Sequence, residues 1–86
     1  MQNPNHTVYT AITTGPSYMT QSKTNADPTE ALREAMELQL EETYEAFVVK
    51  IEIDYSLITE EFDVKTSTTQ YEGDEAQRII DGEIPS

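Results

Sequence analysis

The sequence predicts a small α+β domain in which one long amphipathic helix packs on one face of an antiparallel sheet of about four strands. Three observations support this class: one long segment with helical periodicity, two pairs of segments that favour strands, and turn signals between them. The predicted order is β-β-α-β-β, followed by a short C-terminal helix. The 86 residues form a single domain, 1–86, with short tails at 1–5 and 82–86.

The long helix is predicted from Asp27 to Phe47. Asp27 can cap the free N–H groups of the first turn, and Pro28 suits the first helical position. Apolar side chains then recur at three- and four-residue steps, which places them on one face of a helix. They are Leu32, Ala35, Met36, Leu40, Thr43, Tyr44 and Phe47. The interior consists mostly of strong helix formers and contains no Gly or Pro, which supports a helix of this length.

The opposite face of this predicted helix carries a row of carboxylates. At about 100° per residue, five glutamates fall within an arc of about 60–80° and form a row on the order of 22 Å long. This acidic row consists of Glu30, Glu34, Glu37, Glu41 and Glu45. Like charges at this spacing cost a helix about 0.2–0.5 kcal/mol per pair. The row is therefore either a solvated face or a ridge that contacts a basic surface.

A hairpin is predicted before the helix. Residues 7–14 are rich in β-branched and aromatic side chains, which favour a strand, and residues 17–23 favour a second, weaker strand. Gly15 and Pro16 between them are a turn signal. The two segments therefore pair as neighbouring strands.

Two further strands are predicted after the helix, over residues 47–55 and 61–69. In the first, an apolar set alternates with a more polar set, so one face should lie in the core and the other in water. The apolar set is Phe47, Val49, Ile51, Ile53 and Tyr55, and the other is Val48, Lys50, Glu52 and Asp54. Residues 56–60 are either a hairpin loop or a short helix. Residues 73–80 suggest a final helix capped by Asp74.

The water-facing sides of these two strands predict a second acidic surface. Glu52 and Asp54 lie on the first strand, and Glu61 and Asp63 alternate outward on the second. Like charges that face each other across strands destabilise the pair, and nearby lysines offer partial relief. The expected contact residues for a partner are therefore the acidic row together with these four carboxylates.

Composition limits the classes of partner. The chain has 17 acidic and 5 basic residues and a formal net charge of −12. Such a charge repels nucleic acid and membrane surfaces and attracts basic proteins. Solubility alone and adaptation to high salt are simpler explanations of the same charge. With no cysteine, no secretion signal and no long apolar run, a cytoplasmic location is expected.

The sequence offers no convergent catalytic or ligand-binding motif. The only histidine, His6, is expected in the N-terminal tail, where a catalytic arrangement would lack a rigid position for it. Carboxylates are abundant, but no pair is singled out for acid–base chemistry or for metal binding. The protein is therefore not expected to be an enzyme or to use a cofactor or metal.

Two hypotheses for function remain. The first is a small acidic inhibitor that blocks a basic, nucleic-acid-binding surface of a target protein. In size and charge the chain resembles, as a class, phage-encoded nucleic-acid mimics of the anti-CRISPR and antirestriction type, although no motif carries that likeness. The second is a structural or accessory subunit that completes a thin core by self-association, as a homodimer for example, or within a larger complex.

Overall fold

Strands and helices follow one another in the order that the sequence predicts. The computed structural model describes residues 5–83, which form a four-stranded antiparallel sheet and two helices. The elements are β1 (Asn5–Thr14), β2 (Met19–Gln21), α1 (Pro28–Leu38), β3 (Glu45–Ser56), β4 (Glu61–Glu72) and α2 (Gly73–Ile80). The strand order is β2-β1-β3-β4. The α+β class and the short C-terminal helix are confirmed.

The predicted tails fall mostly outside the described part of the chain, which omits residues 1–4 and 84–86. Asn5, predicted to belong to the N-terminal tail, is instead the first residue of β1. His6 also belongs to this strand, where it pairs with Ile53 of β3. The expectation that His6 lies in a tail is therefore wrong.

The first predicted hairpin is confirmed, although its second strand is shorter than the predicted segment 17–23. The Gly15 N–H donates to the Tyr18 carbonyl oxygen at 3.1 Å and closes the turn. Beyond β2, Ser22 continues to hold the chain beside β1. Its N–H donates to the Ala11 carbonyl oxygen at 2.8 Å, and its Oγ accepts from the Ala11 N–H at 2.9 Å. Because a side chain supplies one of these bonds, the regular strand pairing ends with β2.

Helix α1 begins where the sequence predicts. Asp27 has an extended backbone, and its carboxylate accepts a hydrogen bond from the Thr29 N–H at 2.9 Å. The helix ends at Leu38, and Gln39 caps it with an extended backbone. The prediction that the helix continues to Phe47 is therefore wrong.

Tertiary contacts explain this early end. Gln39 is buried, and its side-chain amide donates to the Tyr18 carbonyl oxygen at 3.1 Å. The Leu40 N–H donates to the Tyr18 hydroxyl oxygen at 2.6 Å. The chain after α1 therefore lies against the β1–β2 turn instead of continuing as a helix. From Glu45 onward the chain pairs with β1 on one side and β4 on the other. A helix through Phe47 would lose these ladder bonds, and the aromatic and β-branched residues there favour a strand.

The helices cover the face of the sheet that carries the more polar set of β3, which the alternation in the sequence predicted to face water. Ala46 and Val48 are buried against α1 and α2, whereas Phe47 and Val49 lie on the opposite side. The prediction that the larger apolar set packs against the helix is therefore wrong. Small side chains let the helices lie close to the sheet. The buried hydrophobic residues are Ala11, Ala31, Leu32, Ala35, Ala46, Val48, Ala76 and Ile79.

Helix α2 spans the predicted residues but begins differently. Its N-cap residue is Glu72, whose side chain makes no capping bond. Asp74 lies in the first turn, where its carboxylate accepts from the Glu75 N–H at 2.9 Å, so the predicted cap at Asp74 is wrong. The buried Gly73 ties α2 to the sheet, since its N–H donates to the Tyr44 carbonyl oxygen at 3.1 Å.

The β3–β4 hairpin gives the molecule its elongated shape. Residues 57–60 form a turn, which decides between the two alternatives for this segment in favour of the hairpin. Near the turn, the rings of Tyr55 and Phe62 contact each other with centroids 4.7 Å apart. The molecule measures 48 × 27 × 16 Å. Its radius of gyration is 15.0 Å, against about 12 Å for a compact chain of this length.

Candidate interaction surfaces

The predicted acidic row is not continuous, because α1 ends before the last two members of the row. Glu30, Glu34 and Glu37 lie on the helix. Glu41 lies in the segment after the helix, and Glu45 is the first residue of β3. The prediction of one ridge of five carboxylates along a helix is therefore wrong, and only three of its members share the helix.

Several carboxylates of the row bind the protein's own chain. The Glu34 carboxylate accepts a hydrogen bond from the Lys23 N–H at 3.0 Å. The Glu41 carboxylate accepts one from a backbone N–H of the β1–β2 turn at 3.1 Å. Glu30 forms an ion pair with Arg33 on the same helix. The Glu34 and Glu41 contacts fasten α1 and the segment after it to the first hairpin and the residues that follow it, so the row has a structural role that its spacing in the sequence does not indicate.

The four carboxylates of the second predicted acidic surface do share one face of the β3–β4 hairpin. Asp54 lies directly opposite Asp63, and Glu52 lies opposite Lys65. Glu61 follows on the same face nearer the turn. This is the side of the sheet on which the helices lie, but these residues extend past the helices into solvent. The Asp54–Asp63 pair places like charges opposite each other, which destabilises the hairpin unless a cation or a basic partner compensates.

The side of the sheet away from the helices, termed the open sheet face, carries most of the large apolar side chains. Its β3 members are partly exposed, and on β4 Phe62 is 69% exposed and Val64 is 55% exposed. The apolar members are Met19 on β2, Val8 and Ile12 on β1, Phe47, Val49, Ile51, Ile53 and Tyr55 on β3, and Phe62 and Val64 on β4. No helix or strand of the described chain packs on this face, although Thr10 on β1 is buried and its hydroxyl donates to the Ser22 carbonyl oxygen. The protein therefore buries mostly alanine in its core and leaves its bulkiest apolar side chains outside.

Charge is concentrated elsewhere. Among the described strands, the carboxylates on the open sheet face are Glu45 and Glu72, which lie opposite each other at the end of the face farthest from the β3–β4 turn. The lysines of β3 and β4 are on the other face. On the open sheet face, the positions of β4 between Val64 and Glu72 are Thr66, Thr68 and Gln70, which carry only hydroxyl and amide side chains. In a chain of net charge −12, this separation of charge marks the open sheet face as a surface suited to an uncharged neighbour.

The sequence contained a signal for this arrangement in the sizes of the side chains. Alternation identifies the two faces of β3 but does not say which one the helices cover. The buried sides of β1 and β3 carry Ala11, Thr13 and Ala46, and α1 presents Ala31 and Ala35 to them. Small residues on both partners permit a close helix–sheet contact, which the bulky apolar set would prevent.

A cavity of about 220 Å³ lies between the two helices and the sheet. It is smaller than the pockets of about 300–1,000 Å³ that commonly hold small ligands. Its lining consists of Tyr9, Pro28, Thr29, Leu32, Val48, Thr69, Tyr71 and Ile79. The titratable groups among these lining residues are the phenols of Tyr9 and Tyr71, and no carboxylate, imidazole or amine lies beside them.

Residues 5–83 contain neither a candidate metal centre nor a candidate membrane-spanning helix. Within that part of the chain, no group of three or more His, Cys, Asp or Glu side chains is placed to hold a metal ion. No helix of the same residues combines the length and the apolar character that crossing a bilayer requires.

Comparison with known protein families, with curated proteins and with solved structures gave no match for this chain. The geometry and charge of the two surfaces described above are therefore the features of this chain that bear on its function.

Proposed function

We propose that this protein is a non-catalytic accessory subunit that acts by binding a protein surface with its open sheet face. One observation carries the proposal: the bulkiest apolar side chains of the sheet lie on its uncovered side, while the core beneath the helices is built mostly from alanine. A contact with another protein would remove this apolar surface from water, which is the main favourable term in protein association.

The extent of the face supports this function. Three long strands spaced about 4.8 Å apart, each contributing about ten residues at about 3.3 Å per residue, give a flat footprint on the order of 480 Å². The largest apolar patch on a typical monomeric protein is about 300–600 Å² and is often functional. The accessible surface of the described chain is 5712 Å², so a face of this size is roughly a tenth of it, the share that a standard interface takes from a small protein.

A pair of neighbouring residues on β4 allows a sharp test. Thr66 and Ser67 are both exposed hydroxyl residues, but Thr66 lies on the open sheet face and Ser67 on the other. A photo-crosslinking amino acid placed at position 66 should give a discrete crosslinked product in cells that express the protein. The same amino acid at position 67 is the matched control. Equal products from both positions, or none from position 66, would contradict binding through this face.

The second candidate function is that of an acidic inhibitor, of the anti-CRISPR or antirestriction type, which binds a basic, nucleic-acid-binding protein. It is favoured by the like-charged pair of Asp54 and Asp63, because a basic partner would relieve the repulsion between them. The contact would then lie on the hairpin rather than along the helix. Both candidate functions assume a cytoplasmic location. The chain has no cysteines and so cannot form the disulfide bonds that are common in oxidising compartments.

The second candidate has its own test. Binding to an arginine-rich nucleic-acid-binding protein should weaken steeply as salt rises, and replacing both Asp54 and Asp63 with Asn should weaken it at low salt. Replacing Glu37 and Glu42 with Gln removes the same charge elsewhere and serves as the control. If both double variants bind equally well, the hairpin carboxylates are not the contact.

A further inference from the structure

We infer that the partner of the open sheet face is a second copy of this chain, packed face to face as in a β-sandwich. This inference rests on the proposed function, because it names the partner of the same surface. Two sheets that pack in this way lie about 10 Å apart, with their strands within about 30° of parallel and their side chains interdigitated. The result is a symmetric dimer with four layers: helices, sheet, sheet and helices.

The chemistry of the face restricts the partner. On the open sheet face, between the Glu45–Glu72 end and the β3–β4 turn, the described residues of β3 and β4 present apolar, hydroxyl and amide side chains and no ionic ones. β1 adds one titratable side chain to this face, His6, which lies opposite Ile53. A charged partner surface would lose its solvation without gaining an opposite charge. An uncharged, apolar and flat surface fits, and the open sheet face is itself such a surface. A two-fold axis makes one patch complementary to itself.

The same symmetry limits the repulsion between the two copies, each of which has a net charge of −12. The two-fold axis lies in the plane between the two sheets and is perpendicular to the strands, so opposite ends of the strands face each other. Glu45 and Glu72 of one copy then lie over the Tyr55 and Phe62 end of the other, far from their own equivalents. The remaining hairpin carboxylates, such as Asp54 and Asp63, point away from the contact because they lie on the opposite face. Residual repulsion between the copies is long-range and is screened by salt.

The area is sufficient for a dimer. A flat footprint on the order of 480 Å² on each copy gives about 1,000 Å² for the pair before the relief of the side chains is counted. Specific interfaces begin at about 1,000 Å² of total buried surface. The β strands on this face also pair residue for residue without interruption from Val8 to Ile12 and from Phe62 to Gln70, so no bulge disturbs the packing surface.

Edge-to-edge pairing is the competing way to join two copies. β4 is a long strand at the edge of the sheet, and no other strand of the sheet pairs with its outer side. The backbone N–H and C=O groups on that side could pair with a strand of another chain. In that arrangement Thr66 and Ser67 would be equally close to the second copy. In the face-to-face dimer only Thr66 lies in the contact, opposite Ile51 of its own sheet.

Sedimentation equilibrium on the purified full chain tests the inference, with wild type, Thr66→Glu and Ser67→Glu compared at matched concentrations. Wild type should form a dimer. Thr66→Glu should raise the dissociation constant at least about tenfold, because it buries like charges at a two-fold contact. Ser67→Glu adds the same charge on the other face and should leave the constant within about twofold, since an added surface charge away from a contact acts only at long range.

Salt gives a second measurement that needs no variant. Added sodium chloride should tighten the wild-type dimer, because it screens the repulsion between two acidic copies. Equal weakening by Thr66→Glu and Ser67→Glu would overturn the face-to-face arrangement in favour of edge pairing. A wild-type chain that stays monomeric at every concentration and salt level would overturn the inference. The proposed function would survive that result if the crosslink at position 66 joined a different protein.

Discussion

The two faces of the sheet differ in the size of the side chains that they carry. The face under the helices carries small residues such as Ala11 and Ala46, and it is fully buried where α1 and α2 lie. The open sheet face carries Ile51, Ile53 and Phe62 and remains in contact with solvent. Side-chain size, rather than hydrophobicity alone, therefore separates the face that the chain buries by itself from the face that it leaves exposed.

This difference has a consequence for stability. The covered face contributes less apolar area per residue because alanine is small, and the area buried scales with the size of the side chain. The open sheet face holds larger side chains that contribute little to the stability of an isolated copy. Variants on the two faces should therefore separate folding from association, and four comparisons test this from the largest effect to the smallest.

Truncation at the centre of each face should have the largest effect on the covered side. Leu32 is 1% exposed, and Leu32→Ala should reduce the free energy of unfolding by about 3 kcal/mol through lost burial and a residual cavity. Ile51→Ala on the open sheet face should cost about 1 kcal/mol or less in dilute protein, since that side chain is already partly in water. Urea unfolding measures both.

Protein concentration sharpens this first comparison. If two copies bury the open sheet face, the cost of Ile51→Ala should grow as the protein concentration rises, whereas that of Leu32→Ala should not. Equal costs at all concentrations, with Ile51→Ala as damaging as Leu32→Ala, would show that the face is already covered in a single copy.

The junction of α2 with the sheet should be almost as sensitive. A Cβ atom at Gly73 would lie 1.8 Å from the Thr43 carbonyl oxygen, so the backbone must move to admit it. Gly73→Ala should therefore cost about 3 kcal/mol, at the upper end of the usual range for overpacking. Gly82→Ala is the matched control. It meets open space, and only its φ of +79° opposes the change, at about 1 kcal/mol.

The ranking of the two glycine variants is the outcome that matters. Thermal or urea unfolding should place Gly73→Ala well below Gly82→Ala in stability. The reverse order would mean that α2 does not lie against the segment before β3.

A buried hydroxyl beneath α1 should have an intermediate effect. The Thr20 hydroxyl donates to the Ala35 carbonyl oxygen at 2.8 Å and also contacts the Thr13 hydroxyl. Thr20→Val keeps the shape but removes both bonds, and it should cost about 1–2 kcal/mol. Thr68→Val on the open sheet face removes an exposed hydroxyl and should change stability by less than about 0.5 kcal/mol. A loss of equal size at both positions in urea unfolding would contradict the burial difference between the faces.

The smallest effect is expected at the like-charged pair of the hairpin. Asp54→Asn should stabilise the protein by about 0.3 kcal/mol at low salt, because it removes the repulsion from Asp63 across the strands. The gain should disappear at high salt, where the two charges are screened. Glu42→Gln removes one charge from an exposed site away from the hairpin and measures the general effect of lower net charge. A gain no larger than this control would mean that the pair is not in repulsive contact.

Much of the fold could be predicted from local signals. Asp27 and Pro28 marked the start of α1 correctly, and two-residue alternation located β3 and β4. The end of α1 could not be found in this way, because residues 39–47 have good helical periodicity in the sequence. In the structure Gln39 and Leu40 instead bind Tyr18 of the β1–β2 turn. The residues from Glu45 onward pair with β1 and β4. The prediction of a continuous acidic row was wrong for the same reason, since Glu41 and Glu45 belong to the part of the predicted helix that does not form.

The sequence by itself determined the class of the fold, the order of its elements and the separation of charged from apolar positions along each strand. These follow from propensity and periodicity, which act over a few residues. Only the tertiary structure decided which face of the sheet the helices cover, because alternation treats the two faces alike until something packs on one of them. The fit of Ala31 and Ala35 against Ala11 and Ala46 settles that choice, and it leaves the larger apolar side chains on the open sheet face.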